Sequence, residues 1–369
     1  MIKVGCRRTY DMDGLLKEIE QPQIKVVIYF FSVEYERFEP HKALKRAFPQ
    51  ATCVGSSMYG GWSTAGTTEK GIVALSLGAE EVEEVFATLK EGVKADPTKS
   101  ARAAIGELKQ KLGYRSVNPD EYLGMVLLDG LSQGEVLMQE LSLEAGLNLP
   151  FIGGAAADEM TLTKTLVGAD ERLSPDGLAI VVMKMKIPFY YNHYVHLIPE
   201  AADMVATKVE AGQRIVWEIN GEPAASYYAK LIGLGSIDDL NHQVFAKNAL
   251  GVVSGNTVYC RSLDGVTEGG GLRFFCYIEA GTTLHLLKPG DIIASARSAL
   301  QDAEAHLSKL QGAILFNCSF RLLELRELRK VDAFNDIFKH LPFIGFNCFG
   351  EELFTHHNQT LTAIFFGRP

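Results

Sequence analysis

The chain is poor in cysteine, and none of the cysteines are paired in sequence. Six are scattered over 369 residues, at Cys6, Cys53, Cys260, Cys276, Cys318 and Cys348. Without a C-x-x-C spacing there is neither a zinc-ribbon pattern nor a disulfide framework, and a reducing compartment fits. Several lie inside apolar runs, as Cys276 does in Arg273-Phe274-Phe275-Cys276-Tyr277, where a small buried hydrophobe is expected. Positive charge is also scarce. The net charge of −9 argues against a nucleic-acid binder, which must neutralise phosphates. No apolar run approaches the about 20 residues of a membrane helix. The start, Met1-Ile2-Lys3-Val4-Gly5-Cys6-Arg7-Arg8, carries charge but no apolar signal region, so a cytoplasmic location is expected. The glycine clusters Gly60-Gly61, Gly153-Gly154 and Gly269-Gly270-Gly271 match no nucleotide phosphate loop and read as tight turns.

What the chain does have is internal repetition. Leu149-Pro150-Phe151-Ile152-Gly153, followed by Glu159, recurs as Leu341-Pro342-Phe343-Ile344-Gly345, followed by Glu351, at a constant offset. Each copy is preceded by an apolar run ending in a polar residue, Gly124 to Asp129 and Gly312 to Asn317, and then by a helix-like stretch. A looser third copy lies upstream, from Val26-Val27-Ile28-Tyr29-Phe30 to Cys53-Val54-Gly55-Ser56. Units this long and this few do not make a solenoid. They predict a strand–helix–strand unit repeated inside an α/β protein with mixed sheets and flanking helices, and the length favours two domains, 1–190 and 191–369.

Between the repeats the pattern predicts further elements. Val82, Val85, Phe86 and Leu89 share one helical face, so Glu80 to Glu91 reads as an acidic helix, with another helix over Ser100 to Leu112. A helix after Ser132-Gln133-Gly134 should stop at Gly146. Asn220-Gly221 marks a hairpin, and Ala224 to Leu231 a helix after Pro223. Strands are expected from Asn256 to Arg261 and from Leu272 to Tyr277, and a helix from Asp291 to Leu310.

Ligands of parallel sheets sit beyond the carboxyl ends of the strands. That rule nominates Asp129, Gly153 to Glu159, Asn317 to Arg321 and Gly345 to Glu351. Asn317, Cys318, Ser319, Arg321, Asn347, Cys348 and Glu351 offer donors, acceptors and one fixed positive charge, the inventory for holding a carboxylate or an amino acid. The alternatives are that Asn and Ser cap the next helix and that Arg321 lies on a solvated face. Cys318 and Cys348 occupy matched places in two strands. They are nucleophile candidates only if a base such as His356 or His357 folds back to them, which would make the protein a cysteine-dependent hydrolase or transferase. His193 and His196 lie in a stretch that reads as a strand, where they cannot bind a metal together. Each of His193, His196, His356 and His357 is a candidate axial haem ligand taken singly.

These segments resemble the FIST family. Its N-terminal half is matched by Val54-Gly55-Ser56-Ser57 with Ala65-Gly66 and by Phe151 to Asp158. Its C-terminal half is matched by Trp217 to Ala224, Gly312 to Arg321, Gly345 to Glu351 and His357-Asn358-Gln359-Thr360. Asn347-Cys348 depart from the Tyr- and Thr-type residues expected there. The resemblance implies a sensory protein that binds a small molecule, an amino acid by the family's suggestion, and adds Asn358 to the candidate ligand-binding residues. It also implies a separate partner, a histidine kinase or a cyclic-nucleotide enzyme, because no fused output domain has room. One subgroup of stand-alone members binds haem and senses nitric oxide.

Overall fold

The computed structural model describes residues 1–143, 149–200, 204–255 and 257–368. The repetition read from the sequence is threefold in the structure. Three parallel pairs are formed: Ile24–Phe31 with Thr52–Ser57, Tyr122–Leu128 with Phe151–Ala155, and Leu310–Cys318 with Phe343–Cys348. In each unit a return strand (Ile72–Gly78, Gly177–Met185 or Thr360–Gly367) lies antiparallel to the first strand of the pair. An edge strand (Lys3–Arg7, Val82–Glu91 or Phe189–Val195) lies beyond the return strand. The fold class is therefore mixed α/β, with sheets that are neither wholly parallel nor wholly antiparallel.

Each second strand would be left with one open edge, and the gap is closed by exchange. The hairpin that follows the second strand of one unit pairs with the second strand of another. Gly61–Ser63 of the first unit joins Phe343–Cys348 of the third. Val167–Ala169 of the second joins Thr52–Ser57 of the first. Glu351–Leu353 of the third joins Phe151–Ala155 of the second. The exchange is cyclic, and it satisfies backbone groups that burial would otherwise leave unpaired.

The inner faces of the three sheets meet in one core. Ile28 and Phe30, Met125 and Leu127, and Ile314, Phe316 and Phe346 contribute from the three units, and Phe30 stacks on Phe346 at 4.2 Å. Each outer face is covered by the unit's own helices: Met12–Ile19 and Pro40–Ala47, Pro97–Lys111 and Gly134–Leu143, and Ile292–His306 and Val331–Phe338. Burial on both faces explains why the strands read as unbroken apolar runs. Between the edge strand and first helix of the third unit lies an inserted antiparallel sheet built from strands between Leu197 and Pro289. The boundary expected between residues 190 and 191 falls inside the edge strand Phe189–Val195 of the third unit.

One expected helix is a strand. Glu80 to Glu91 contains the ten-residue strand Val82–Glu91, paired along its length with Gly177–Met185. Val85 and Ala87 pack toward the common core while Phe86 packs toward the helices, so the alternation of a strand, not the helical spacing, decides where the side chains go. A helix here would leave the return strand with an open edge. The second correction concerns the repeat. Glu351 opens the exchanged hairpin and is buried, whereas Glu159 lies exposed in a longer loop, so the two glutamates are not structural equivalents. The strand expected to reach Tyr277 ends at Phe274. The stop at Gly146 and the strand start at Asn256 fall outside the described residues.

Trp62 carries the exchange between the first and third units. It is 1% exposed, lies 4.7 Å from Phe334, and donates from Nε1 to Asn347 Oδ1 at 2.9 Å. Trp62→Ala should cost about 3–5 kcal/mol and lower the urea midpoint of a single cooperative transition. A biphasic curve, with one unit lost before the others, would contradict the shared core.

Candidate functional site

The strands Leu310–Cys318 and Phe343–Cys348 run parallel in register, so Asn317 faces Asn347 and Cys318 faces Cys348. A run of buried polar side chains starts there. Asn347 Oδ1 accepts from Trp62 Nε1 and from Asn317 Nδ2 at 2.8 Å, while its Nδ2 donates to the carbonyls of Tyr59 and Gly60. Asn317 Oδ1 accepts from Arg321 Nε at 2.9 Å. Arg321 Nη1 donates to His196 Nδ1 at 2.6 Å, which fixes the imidazole proton on Nε2, and that N–H donates to Glu324 Oε2 at 2.6 Å. Burial, and next the Arg321 charge, hold the His196 pKa below its ordinary value, in keeping with a neutral ring.

Arg321 is therefore not on a solvated face. It is fully buried one turn into the helix Ser319–Glu327, and burial lowers its pKa to about 10, so it stays charged at neutral pH. Its place is in the wall behind the site, with Asn317 and Asn347.

The site itself is a slit at the start of that helix. Cys318, Ser319 and Phe320 form one side, Cys348, Phe349 and Asn358 a second, and Met160, Leu162, Ser262 and Phe275 close it. About 300 Å³ of space free of atoms lies in it, part of it open to solvent, but it is so narrow that little more than one water fits as it stands. Cys318 is the N-cap residue; its side chain makes no capping hydrogen bond of ordinary geometry, although the Phe320 and Gln359 N–H groups lie near enough to its sulfur to lower the thiol pKa against burial. The first-turn N–H groups have no partner within the helix, and their partial positive charge favours an anion. Ser319 Oγ donates instead to the Cys348 carbonyl at 2.8 Å. Opposite them, Asn358 is 2% exposed; its Nδ2 lies 3.3 Å from His356 Nε2 and its Oδ1 has no partner. Four of the sequence candidates, Cys318, Ser319, Cys348 and Asn358, thus line one cavity. Asp129 does not line it. That carboxylate is tied to Lys94 at 3.0 Å and to Thr165.

Glu351 lies behind the slit, with every oxygen engaged. Oε1 accepts from Cys348 Sγ at 3.2 Å, and Oε2 from the N–H and Oγ1 of Thr360 at 2.9 and 2.8 Å. Burial raises its pKa to about 7 against these donors. Burial, followed by the Glu351 charge, raises both the Cys318 and the Cys348 thiol well above the ordinary range. Both are protonated at neutral pH, the opposite of an activated nucleophile.

The four candidate histidines differ in how far their ring nitrogens are engaged. Both ring nitrogens of His196 are engaged as described. His356 borders the cleft beside the helix Gly134–Leu143, but its Nδ1 is bound to Glu352 at 2.8 Å and its Nε2 faces Asn358. The ring is clamped as well, since a Cβ on Gly350 would lie 2.0 Å from its Cε1. His357 Nε2 is bound to the Leu353 carbonyl at 3.1 Å, and the ring stacks on His193 at 4.4 Å. His193 Nδ1 is buried without a partner. His196 and His356, with both ring nitrogens engaged, do not fit a haem iron in this arrangement.

Sequence reasoning missed the closing side of the slit. Met160 and Leu162 both have left-handed backbones, φ 61 and 54, costly for bulky side chains. Asp158 holds them there. Its two oxygens accept from the N–H groups of Thr161, Leu162, Thr163 and Lys164 and from Thr161 Oγ1. The available signal was a carboxylate just past a buried strand, followed by the alternating Thr161-Leu162-Thr163.

The FIST N domain model matches residues 25–222 and the FIST C domain model residues 224–353. The chain belongs to the FIST family, whose domains are sensory modules that bind small ligands in signalling proteins. No curated protein sequence matches it. Among the described residues no helix is long and apolar enough to cross a membrane.

Two measurements check this electrostatic arrangement. Arg321→Ala would leave Asn317 Oδ1 and His196 Nδ1 without their donor and remove the buried cation that offsets the Glu324 charge, and should destabilise the protein by about 3–5 kcal/mol, read as a lowered urea midpoint. An unchanged midpoint would mean the network contributes nothing. For Glu351 the folded pKa lies above the unfolded one. Its contribution is full below about pH 4.5 and is lost as pH rises through about 7, a fall of about 3 kcal/mol. Glu351→Gln should flatten the stability profile in that window, whereas a profile that keeps the wild-type slope would assign the slope to other groups.

Proposed function

We propose that this protein is a cytoplasmic sensor whose slit holds a small amino acid with an apolar side chain and that signals to an enzyme, a histidine kinase or a cyclic-nucleotide enzyme. The observation that carries the reading is the pairing of complementary polar groups across an otherwise apolar cavity. The N-terminus of the helix Ser319–Glu327 lies on one side and the unpartnered Asn358 Oδ1 on another. The helix terminus suits an α-carboxylate, and Asn358 Oδ1 suits an α-ammonium group. Phe275, Phe320, Phe349, Met160 and Leu162 supply the apolar walls.

The slit is too narrow for an amino acid without movement. The loop that carries Met160 and Leu162 is the part to yield, because its conformation is strained and Asp158 anchors it from one end. Ligand binding would then shift this loop relative to the helix, a two-position element that a partner can read. The protonated thiols and the engaged histidines both count against cysteine chemistry and against haem as the means of sensing.

A thermal-shift screen of the apolar amino acids tests this. The true ligand should stabilise the wild type by about 2.7 kcal/mol at a hundredfold excess over Kd, and Asn358→Ala should remove most of that gain. An equal shift in the variant would take Asn358 out of the site. A Soret band that moves with nitric oxide, in protein expressed with haem supplied, would replace the amino-acid reading with a haem sensor.

A further inference from the structure

Three of the residues that line the slit carry sulfur: Cys318, Cys348 and Met160. The two cysteines are register partners in the parallel pair, each two residues beyond a phenylalanine of the common core, Phe316 or Phe346. Side chains alternate along a strand, so both thiols point to the inner face while Asn317 and Asn347 point away from it. Neighbouring strands lie about 4.8 Å apart, and two metal–sulfur bonds of about 2.3 Å each span about that distance. Met160 closes the slit from the other side, on the loop that Asp158 holds in its left-handed conformation. The space between them takes little more than one water, the size of a single ion, and its opening to solvent gives an entry path.

The donor set decides which metal fits. Among the described residues no three His, Cys, Asp or Glu side chains converge so as to hold a metal ion, so a four-coordinate zinc site is not built here. The Glu351 carboxylate behind the slit has both oxygens engaged by Cys348 and Thr360, which leaves little for a hard cation that takes oxygen ligands. Two thiolates and a thioether are the soft set that selects copper(I).

We infer that Cys318, Cys348 and Met160 form a three-sulfur site for a soft monovalent ion, copper(I). Two S–Cu bonds form and two S–H bonds break, releasing two protons and leaving the oxidation state of copper unchanged. Met160 adds its thioether sulfur without losing a proton. The Cys348 thiol already donates to Glu351 Oε1 at 3.2 Å, so its proton has an acceptor on the way out. The resulting complex carries one negative charge. It sits where the first-turn N–H groups of the helix Ser319–Glu327 favour an anion, and the Phe320 and Gln359 N–H groups already lie near the Cys318 sulfur. The protonated thiols make binding pH-dependent and do not prevent it, because the ion displaces the protons. The site does not rest on the amino-acid reading, and the slit has room for one occupant at a time.

The test is an anaerobic titration of the reduced full chain with copper(I), supplied as its acetonitrile complex against a chromogenic copper(I) chelator. Thiolate-to-copper charge-transfer absorption and proton release are followed together. One tight ion per chain is expected and, above the Glu351 pKa of about 7, two protons per ion. Cys348→Ser and Cys348→Ala should each lower the affinity by more than the about 10–100-fold that losing an outer partner costs, and the urea midpoint of each verifies the fold. Met160→Leu, of similar volume, should weaken binding while keeping the stoichiometry. Cys260→Ser removes a buried thiol outside the slit and should change nothing. Full affinity in both Cys348 variants would assign the copper to other thiols and overturn the site. Full affinity in Met160→Leu would overturn it as a three-sulfur site, and zinc(II) bound as tightly through the same cysteines would overturn the choice of a soft ion. Asn358→Ala should lose the amino-acid thermal shift and keep copper binding, so the two readings fail separately.

Discussion

The constraint on which this structure depends is the open edge of each unit's second strand. A strand buried on both faces cannot leave a row of N–H and C=O groups unpaired. Here each such edge is covered by a hairpin from another unit, in a closed cycle of three. No unit completes its own sheet. The consequence is a single core in which Phe30 of the first unit packs on Phe316 and Phe346 of the third. It also brings residues distant in sequence to the same sheet edge, which is how Trp62 comes to bond Asn347.

The candidate site is a by-product of this exchange. The exchanged hairpin of the third unit holds Glu351 and His356, and the turn after it delivers Asn358 to the slit. The loop before the exchanged hairpin of the second unit delivers Met160 and Leu162 to the opposite side. The inserted sheet supplies Ser262 and Phe275. Three parts of the chain thus meet at the carboxyl end of one parallel pair, and none makes a site without the others. The polar network from Trp62 to Glu324 fixes the start of the helix that forms the remaining wall. In a low-dielectric interior its bonds are strong and hold the helix start in place, although Arg321 Nη2 and Glu324 Oε1 are left without a partner.

The repeats made the three parallel pairs legible, because their strands are buried on both faces and carry unbroken apolar runs. The carboxyl-end rule nominates Cys318, Ser319 and Cys348, and the family resemblance adds Asn358; the fold gathers all four around one cavity. Other features had no local signature. Val82–Glu91 carries apolar residues at helical spacing, and only its pairing with Gly177–Met185 makes it a strand. The exchange of hairpins cannot be read from any one unit, since each hairpin looks the same whichever edge it covers. Arg321 was legible as a fixed charge but not as a buried one, because its partner His196 lies in a segment separated from it by the whole insertion. Met160 and Leu162 escaped notice because a left-handed conformation is not expected of either residue type; Asp158 imposes it from outside.

The most direct check of the central claim is a two-dimensional NMR titration of the labelled protein with the amino acid that stabilises it most. A ligand whose carboxylate meets the helix terminus should shift the backbone amide resonances of Ser319 and Phe320 and the side-chain amide of Asn358, all with one saturating affinity. Saturating shifts confined to other parts of the chain, with those three signals unmoved, would contradict the account and place the ligand elsewhere.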